Sequence, residues 1–279
     1  MPYSAEISRV NPSCLLFLID QSASMADPVG AGEFHKLKAD GVAEALNRLL
    51  QTLVLKCAKS EGIRDYYHVG VLGYGANVGP ALGGALAGRD LVLISEIADM
   101  PTRLEERPRK VEDGAGGVIE QTFKFPIWVD PVAEGGTPMC QALTQAHNIL
   151  QRWLAEHTSC FPPVVINMTD GEATDGDPSS SAQALQSLAS RDGNVLLFNL
   201  HISSHRATPI MFPDTEEHLP DQYAQLLFRI SSLLPPHLQT AAQQEDYPVT
   251  AQTRGFVFNA HMVALIQFLS IGTQPSNLR

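Results

Sequence analysis

The sequence predicts an α/β protein: a doubly wound, mostly parallel central sheet flanked by helices, a Rossmann-like sandwich of three layers. Three observations carry that expectation. Short runs that are apolar throughout recur at wide spacing, as strands buried on both faces do. Amphipathic stretches of helical period lie between them. The 279 residues, 44% hydrophobic and 18% charged, are ordinary for a globular chain with a real core.

The first strand is "CLLFLID", residues 14 to 20. A helix over about 35 to 60 follows, with Leu46, Leu49, Leu53 and Cys57 on one stripe. "YYHVGVLGYG" (66 to 75) is the second strand. The segment 76 to 130 reads as a hairpin, a short helix near 91 to 98, an exposed loop through "RLEERPRKVEDGAGG", and a short strand in "TFKFPIWV". A helix opening near Pro138 carries Ala142, Ala146, Ile149 and Trp153. Two more buried strands follow, "PPVVINMTDGE" (162 to 172) and "NVLLFNLHIS" (194 to 203). A helix over 221 to 234 opens after Pro220, with Asp221 as its cap. Residues 203 to 220 and 235 to 250, rich in Pro, His, Gln and acids, read as loops. Neither repeats nor a linker interrupt the chain, so a single domain over 1 to 279 is expected. Strands alternating with helices imply parallel pairing and right-handed crossovers, and ligands then sit beyond the carboxyl ends of the strands.

A formal charge of −11 argues against nucleic acid or an anionic membrane surface as the main partner, because both require basic patches. No apolar run approaches the roughly 18 to 20 residues that span a bilayer. The start "MPYSAEISRV" lacks the layout of a secretion signal, so a cytoplasmic protein is expected. Cys14, Cys57, Cys140 and Cys160 are scattered without a CxxC pair and read as buried, reduced thiols.

The chemistry lies in three turns. "FLIDQSASM" puts Asp20, Ser22 and Ser24 on alternate positions just where the apolar run stops, and side chains two apart in an extended segment point the same way. "EGGTPMCQAL" presents Thr137 between a Gly pair and Pro138, at a loop-to-helix junction. "NMTDGEATDGD" ends a strand with Asp170, followed by Gly171, which lets the chain turn sharply. All three turns follow strands and so share one edge of the sheet. Two carboxylates and three hydroxyls form a hard, oxygen-only set that suits Mg²⁺ (or Mn²⁺), which tolerates retained waters and an incoming oxygen ligand.

The run of Asp20, Ser22 and Ser24, the Thr137 loop and the Asp170 loop together resemble the metal-ion-dependent adhesion site (MIDAS) of von Willebrand factor A (vWA) domains. The likeness covers about residues 12 to 272, and "DQSASM", "GGTPM" and "GFVFNAHMVALIQFLSIGT" are similar to bacterial cytosolic members often encoded beside protein kinases and PP2C-type phosphatases. The resemblance implies that Ser22, Ser24 and Thr137 supply hydroxyl ligands, that Asp20 and Asp170 coordinate directly or through water, and that a partner's Asp or Glu carboxylate fills the last position. It further implies a signalling partner, a kinase or PP2C-type phosphatase among the possibilities. The stretch 76 to 130 departs from the pattern, since a compact A domain is shorter there.

Other features carry plainer readings. A strand-end turn of short polar side chains is the bland alternative for Asp20, Ser22 and Ser24. Glu172, Asp175 and Asp177 read as a solvated acidic loop outside the metal set. "GYGANVG" (73 to 79) has the wrong spacing for a dinucleotide fingerprint and reads as a turn into a hairpin. His201 reads as a satisfied core histidine, and His205 is not aligned with it for zinc. Trp128 and Trp153 read as packing residues. Arg103, Arg107, Arg109 and Lys110 read as a solvated loop, with a docking patch for an acidic partner as the alternative. A non-enzymatic binding module is therefore expected; the alternative, a metal-dependent hydrolase of phosphate or ester bonds, lacks an evident general base, a second metal cluster or a phosphate loop. A structural scaffold with a vestigial site is the third reading.

Overall fold

The computed structural model describes residues 3–28, 37–112, 118–202, 208–259 and 268. The first apolar run forms β1 (Ser13–Asp20), buried at every position. After a single 3₁₀ turn comes α1 (Lys38–Cys57). A tight hairpin, β2 (Ala58–Lys59) with β3 (Gly62–Ile63), leads into β4 (Tyr67–Tyr74). Then follow β5 (Val78–Pro80), β6 (Val92–Leu93), α2 (Ile94–Asp99), β7 (Arg103–Glu112) and β8 (Val118–Ile127). The second half runs α3 (Met139–Glu156), β9 (Val164–Thr169), α4 (Ser179–Ser187), β10 (Ala189–Ser190), β11 (Gly193–Asn194) and β12 (Leu196–His201). It continues with β13 (Ile210–Met211), α5 (Gln222–Ile230), α6 (Pro236–Gln244) and β14 (Phe256–Phe258).

The main sheet runs β13-β14-β12-β9-β1-β4-β5, with β6 also on β4. The strands β14, β12, β9, β1 and β4 are mutually parallel, and the short β13, β5 and β6 are antiparallel. From β1 the chain first builds outward to β4, then returns to β9 on the other side of β1 and continues outward to β12 and β14. The reversal between β1 and β9 is the topological switch point of a doubly wound sheet, where a crevice opens beyond the carboxyl ends.

Alternation along β1 divides the core into two layers. Leu15, Phe17 and Ile19 pack with Val42, Leu46, Leu49 and Leu53 of α1 and with Ile94 and Ile97 of α2. Cys14, Leu16 and Leu18 pack with Ala142, Ala146 and Trp153 of α3, Leu185 of α4 and Leu227 of α5. With helices on both faces, the parallel strands read as continuous apolar runs. Trp128 also packs in the first layer and donates its indole N–H to the Ile97 carbonyl at 2.7 Å.

Several expectations need correction. The loop expected through 103 to 112 is strand β7, paired over its whole length with β8 in a separate two-stranded ribbon. Its charges misled because a ribbon off the main sheet needs no continuous apolar face, and here charge builds the anchor. Arg107 pairs with Glu105 at 2.9 Å and with Glu44 of α1 at 2.7 Å, and lies 3.9 Å from the Phe125 ring centre. Arg103 pairs with Glu105 and Asp130, so neither arginine belongs to a free solvated loop; the side chains of Arg109 and Lys110 lie outside the described residues. The stretch 235 to 250 contains α6, whose Leu238, Ala241 and Ala242 form a buried stripe. Its opening Pro pair and its glutamines read as loop, although Pro suits a helix's first turn. The stretch expected as a loop over 203 to 220 contains the short strand β13, paired with β14. Also not anticipated were Ser-rich α4, with only Ala182 and Leu185 buried, β14, which pairs with β12, and the two-residue hairpin strands β2, β3, β10 and β11. His205 lies outside the described residues.

No disulfide joins the cysteines: Cys14, Cys57 and Cys160 are buried free thiols, whereas Cys140 is only half-buried. Burial pushes Cys57 and Cys160 up to about 12.

Candidate metal site at the switch point

β1 ends on Asp20 and β9 ends one residue before Asp170, so pairing of the two strands brings both carboxylates to the same edge. Asp20 is 2% exposed. Its Oδ1 accepts from the Ser22 backbone N–H at 2.9 Å and its Oδ2 from the Thr169 hydroxyl at 2.7 Å. Burial raises the Asp20 pKa against those hydrogen bonds, and the nearby Asp170 charge raises it further. A buried carboxylate beside a second one is a place where an added cation is electrostatically favoured.

Ser22 is extended, but residues 23–26 form the 3₁₀ turn, so Ser24 is not on an extended strand. The alternation that suggested convergence is wrong for Ser24; the turn curls its hydroxyl back instead, to 3.0 Å from the Ser22 hydroxyl. Met25, fully buried, holds this turn against the core.

The three turns are stitched together through their backbones. Ala23 N–H donates to the Gly135 carbonyl at 3.0 Å, and Glu134 N–H donates to the Gln21 carbonyl at 2.6 Å. Thr137 is 5% exposed; its N–H donates to the Thr174 hydroxyl, and the Thr174 N–H donates to the Thr137 carbonyl, both at 2.9 Å. Gly135 has φ +82°, and a Cβ there would lie 2.3 Å from the Ala76 nitrogen, so only glycine permits this approach. Gly171, at φ +137°, makes the turn after Asp170.

Beside the two carboxylates stands a residue the sequence did not flag. Lys38, the first residue of α1, donates from Nζ to Asp170 Oδ2 at 2.9 Å, with the Ser24 carbonyl at 3.4 Å and Asp27 at 3.6 Å. Thr169 and Thr174 were likewise missed. Single hydroxyls and a lone lysine carry no pattern until strand pairing places them. Asp175 is not merely solvated: its carboxylate accepts from the N–H groups of Cys140 and Gln141 and so caps α3, and Asp177 accepts from Ser179 N–H. Glu172 is exposed. His201 is buried but not satisfied, since its Nδ1 has no partner; it stacks on Phe258, and burial lowers its pKa to about 4.

The donor set is hard oxygen throughout, the chemistry a small divalent cation takes; the Ser22 and Ser24 hydroxyls hydrogen-bond to each other at 3.0 Å. Among the described residues no group of three or more His, Cys, Asp or Glu side chains could hold a metal, so a cation here would depend on hydroxyls as well as on Asp20 and Asp170. No helix among those residues is long and apolar enough to cross a membrane.

The fold and this edge define a three-layer α/β protein with oxygen-bearing turns gathered at its switch point. No family model and no curated protein matches the chain. Among solved structures, it is similar to the vWF domain of the type V pili tip protein Mfa5 from Porphyromonas gingivalis, at 17% identity, TM-score 0.32, covering 58% of this chain and 39% of that one. It is also similar to the ArnB paralog VWA2 from Sulfolobus acidocaldarius, at 14% identity, TM-score 0.34, covering 69% and 35% respectively. A third is the pilus adhesin RrgA from Streptococcus pneumoniae, at 15% identity, TM-score 0.31, covering 59% and 21%. This chain thus spans well under half the length of each of these structures. The fold class rests on the strand order and directions described above.

Proposed function

We propose that this chain is a metal-dependent protein-binding module of the MIDAS type, acting in the cytoplasm in a bacterial signalling system. The observation that carries the reading is the meeting of the Asp20 and Asp170 carboxylates with the paired Ser22 and Ser24 hydroxyls at the switch point. Asp20, Ser22, Ser24, Thr137 and Asp170 would hold Mg²⁺ or Mn²⁺. When bound, that ion would supply an open coordination position for an Asp or Glu carboxylate of a partner, such as a kinase or PP2C-type phosphatase. The role of the chain's own residues is preorganisation: Thr169 and the Ser22 amide orient Asp20, and the Gly135 and Thr174 contacts hold the three turns in register.

Calorimetry with Mn²⁺ tests the site. The expected result is binding by the native chain and none by Asp20→Ala, with the far-UV circular dichroism unchanged. Partner capture from a bacterial lysate should be lost in EDTA, and capture that persists in EDTA refutes metal-mediated recognition. The competing hydrolase reading finds little support nearby: His201, against the Asp170 loop, is buried and stacked on Phe258 rather than presented to solvent. Turnover of phosphate or ester substrates that disappears in Asp170→Ala would reverse this preference.

A further inference from the structure

Lys38 is placed where neither solvent nor backbone favours it. Its side chain is 5% exposed, and lysine is almost never so buried without a partner. It also begins α1, where the positive end of the helix dipole repels an ammonium. What holds it is Asp170, itself 8% exposed, with the Ser24 carbonyl and Asp27 as further acceptors. The lysine thus reaches two of the three turns of the candidate site, across 132 residues of sequence to Asp170.

Resting on the proposed metal site, we infer that Lys38 is a tethered cation that shares Asp170 with the divalent ion, weakening metal binding while setting the charge that the loaded site offers to an anionic partner. Leaving aside Asp27, whose side chain is 59% exposed and screened by solvent, the buried Asp20, Asp170 and Lys38 together carry one net negative charge, and adding a divalent ion makes that one net positive. Without the ammonium the loaded cluster would be neutral and would attract a carboxylate less strongly. The same ammonium repels the incoming ion and must yield part of Asp170 to it, which lowers metal affinity. Lys38 is in this sense a specificity-determining residue: it exchanges metal affinity for selectivity toward acidic ligands.

The test compares the native chain with Lys38→Gln, which keeps a hydrogen-bond donor near Asp170 and removes the charge, and with Lys38→Arg, which keeps the charge. By calorimetry Lys38→Gln should bind Mn²⁺ roughly tenfold more tightly than the native chain, whereas Lys38→Arg should stay within about twofold. Acetate titrated into the Mn²⁺-loaded proteins, read by water-proton relaxation, should bind more weakly to Lys38→Gln by a similar factor. Thermal melting adds a readout independent of partner capture: Lys38→Gln should melt lower than the native chain without added metal and gain more from Mn²⁺. If Lys38→Gln does not fold, Lys38→Met, which preserves the buried stem, takes its place. Equal or weaker Mn²⁺ affinity in the charge-removing variant overturns the inference and leaves the metal site standing. Absence of Mn²⁺ binding in all three proteins overturns the metal reading, and this inference with it.

Discussion

Asn167 has no exposed surface, yet it lies in the middle of an apolar strand directly behind the candidate site. It accepts from the Tyr74 hydroxyl at 2.6 Å and donates to Asn199 Oδ1 at 2.9 Å; Asn199 in turn donates to the Ser231 hydroxyl at 3.0 Å. This chain of buried polar groups ties β4, β9 and β12 to the end of α5. Because each member satisfies the next, removing one orphans its neighbours. Asn167→Ala should therefore cost about 3 kcal/mol, read as a lowered urea midpoint. At this scale the sequence singled out Asp20, Ser22, Thr137 and Asp170 through their spacing after strands, and Ser24 for an alternation that the 3₁₀ turn removes. Asn167, Thr169, Thr174 and Lys38 were illegible because their partners are far away in sequence: Thr169 reaches Asp20 across 149 residues.

The ribbon of β7 and β8 shows how an element can stand apart from the main sheet. Glu44 on α1 takes both oxygens to Arg107, at 2.9 and 2.7 Å, and pairs with Arg48 at 2.6 Å. Burial pushes the Glu44 carboxyl up, but the Arg107 and Arg48 guanidiniums more than offset this, so its pKa lies below the usual value. With the folded value depressed, the stabilisation is present above the unfolded value and disappears as pH falls through the folded one. Loss of the anchor is thus expected only as pH falls below the ordinary glutamate range. Arg107→Ala should mimic it at neutral pH, destabilising the ribbon by roughly 1–2 kcal/mol. Hydrogen exchange checks both: amides of β7 and β8 should exchange faster while those of β1 and β9 stay protected. The β7 half of the ribbon reads as a loop in the sequence because its charges are legible and their partners are not, whereas a strand is expected in β8.

At the scale of the whole molecule, the fold and the site meet at one place. The strand order reverses between β1 and β9, and the turns after β1 and β9 supply the acids. Since the site depends on strands from both halves of the sheet, occupying it should stabilise the entire fold. Mn²⁺ at a hundredfold excess over its dissociation constant should contribute about 2.7 kcal/mol and raise the melting temperature by roughly 5 °C or more. Asp20→Ala should show no such shift. The amino-acid sequence by itself determined the buried strands, the main helices and the oxygen-bearing turns, because period and burial are local properties of the chain. Only the tertiary structure decided the strand order, the ribbon's place on α1 and the lysine set against Asp170, because each arises where distant segments are forced to share one volume.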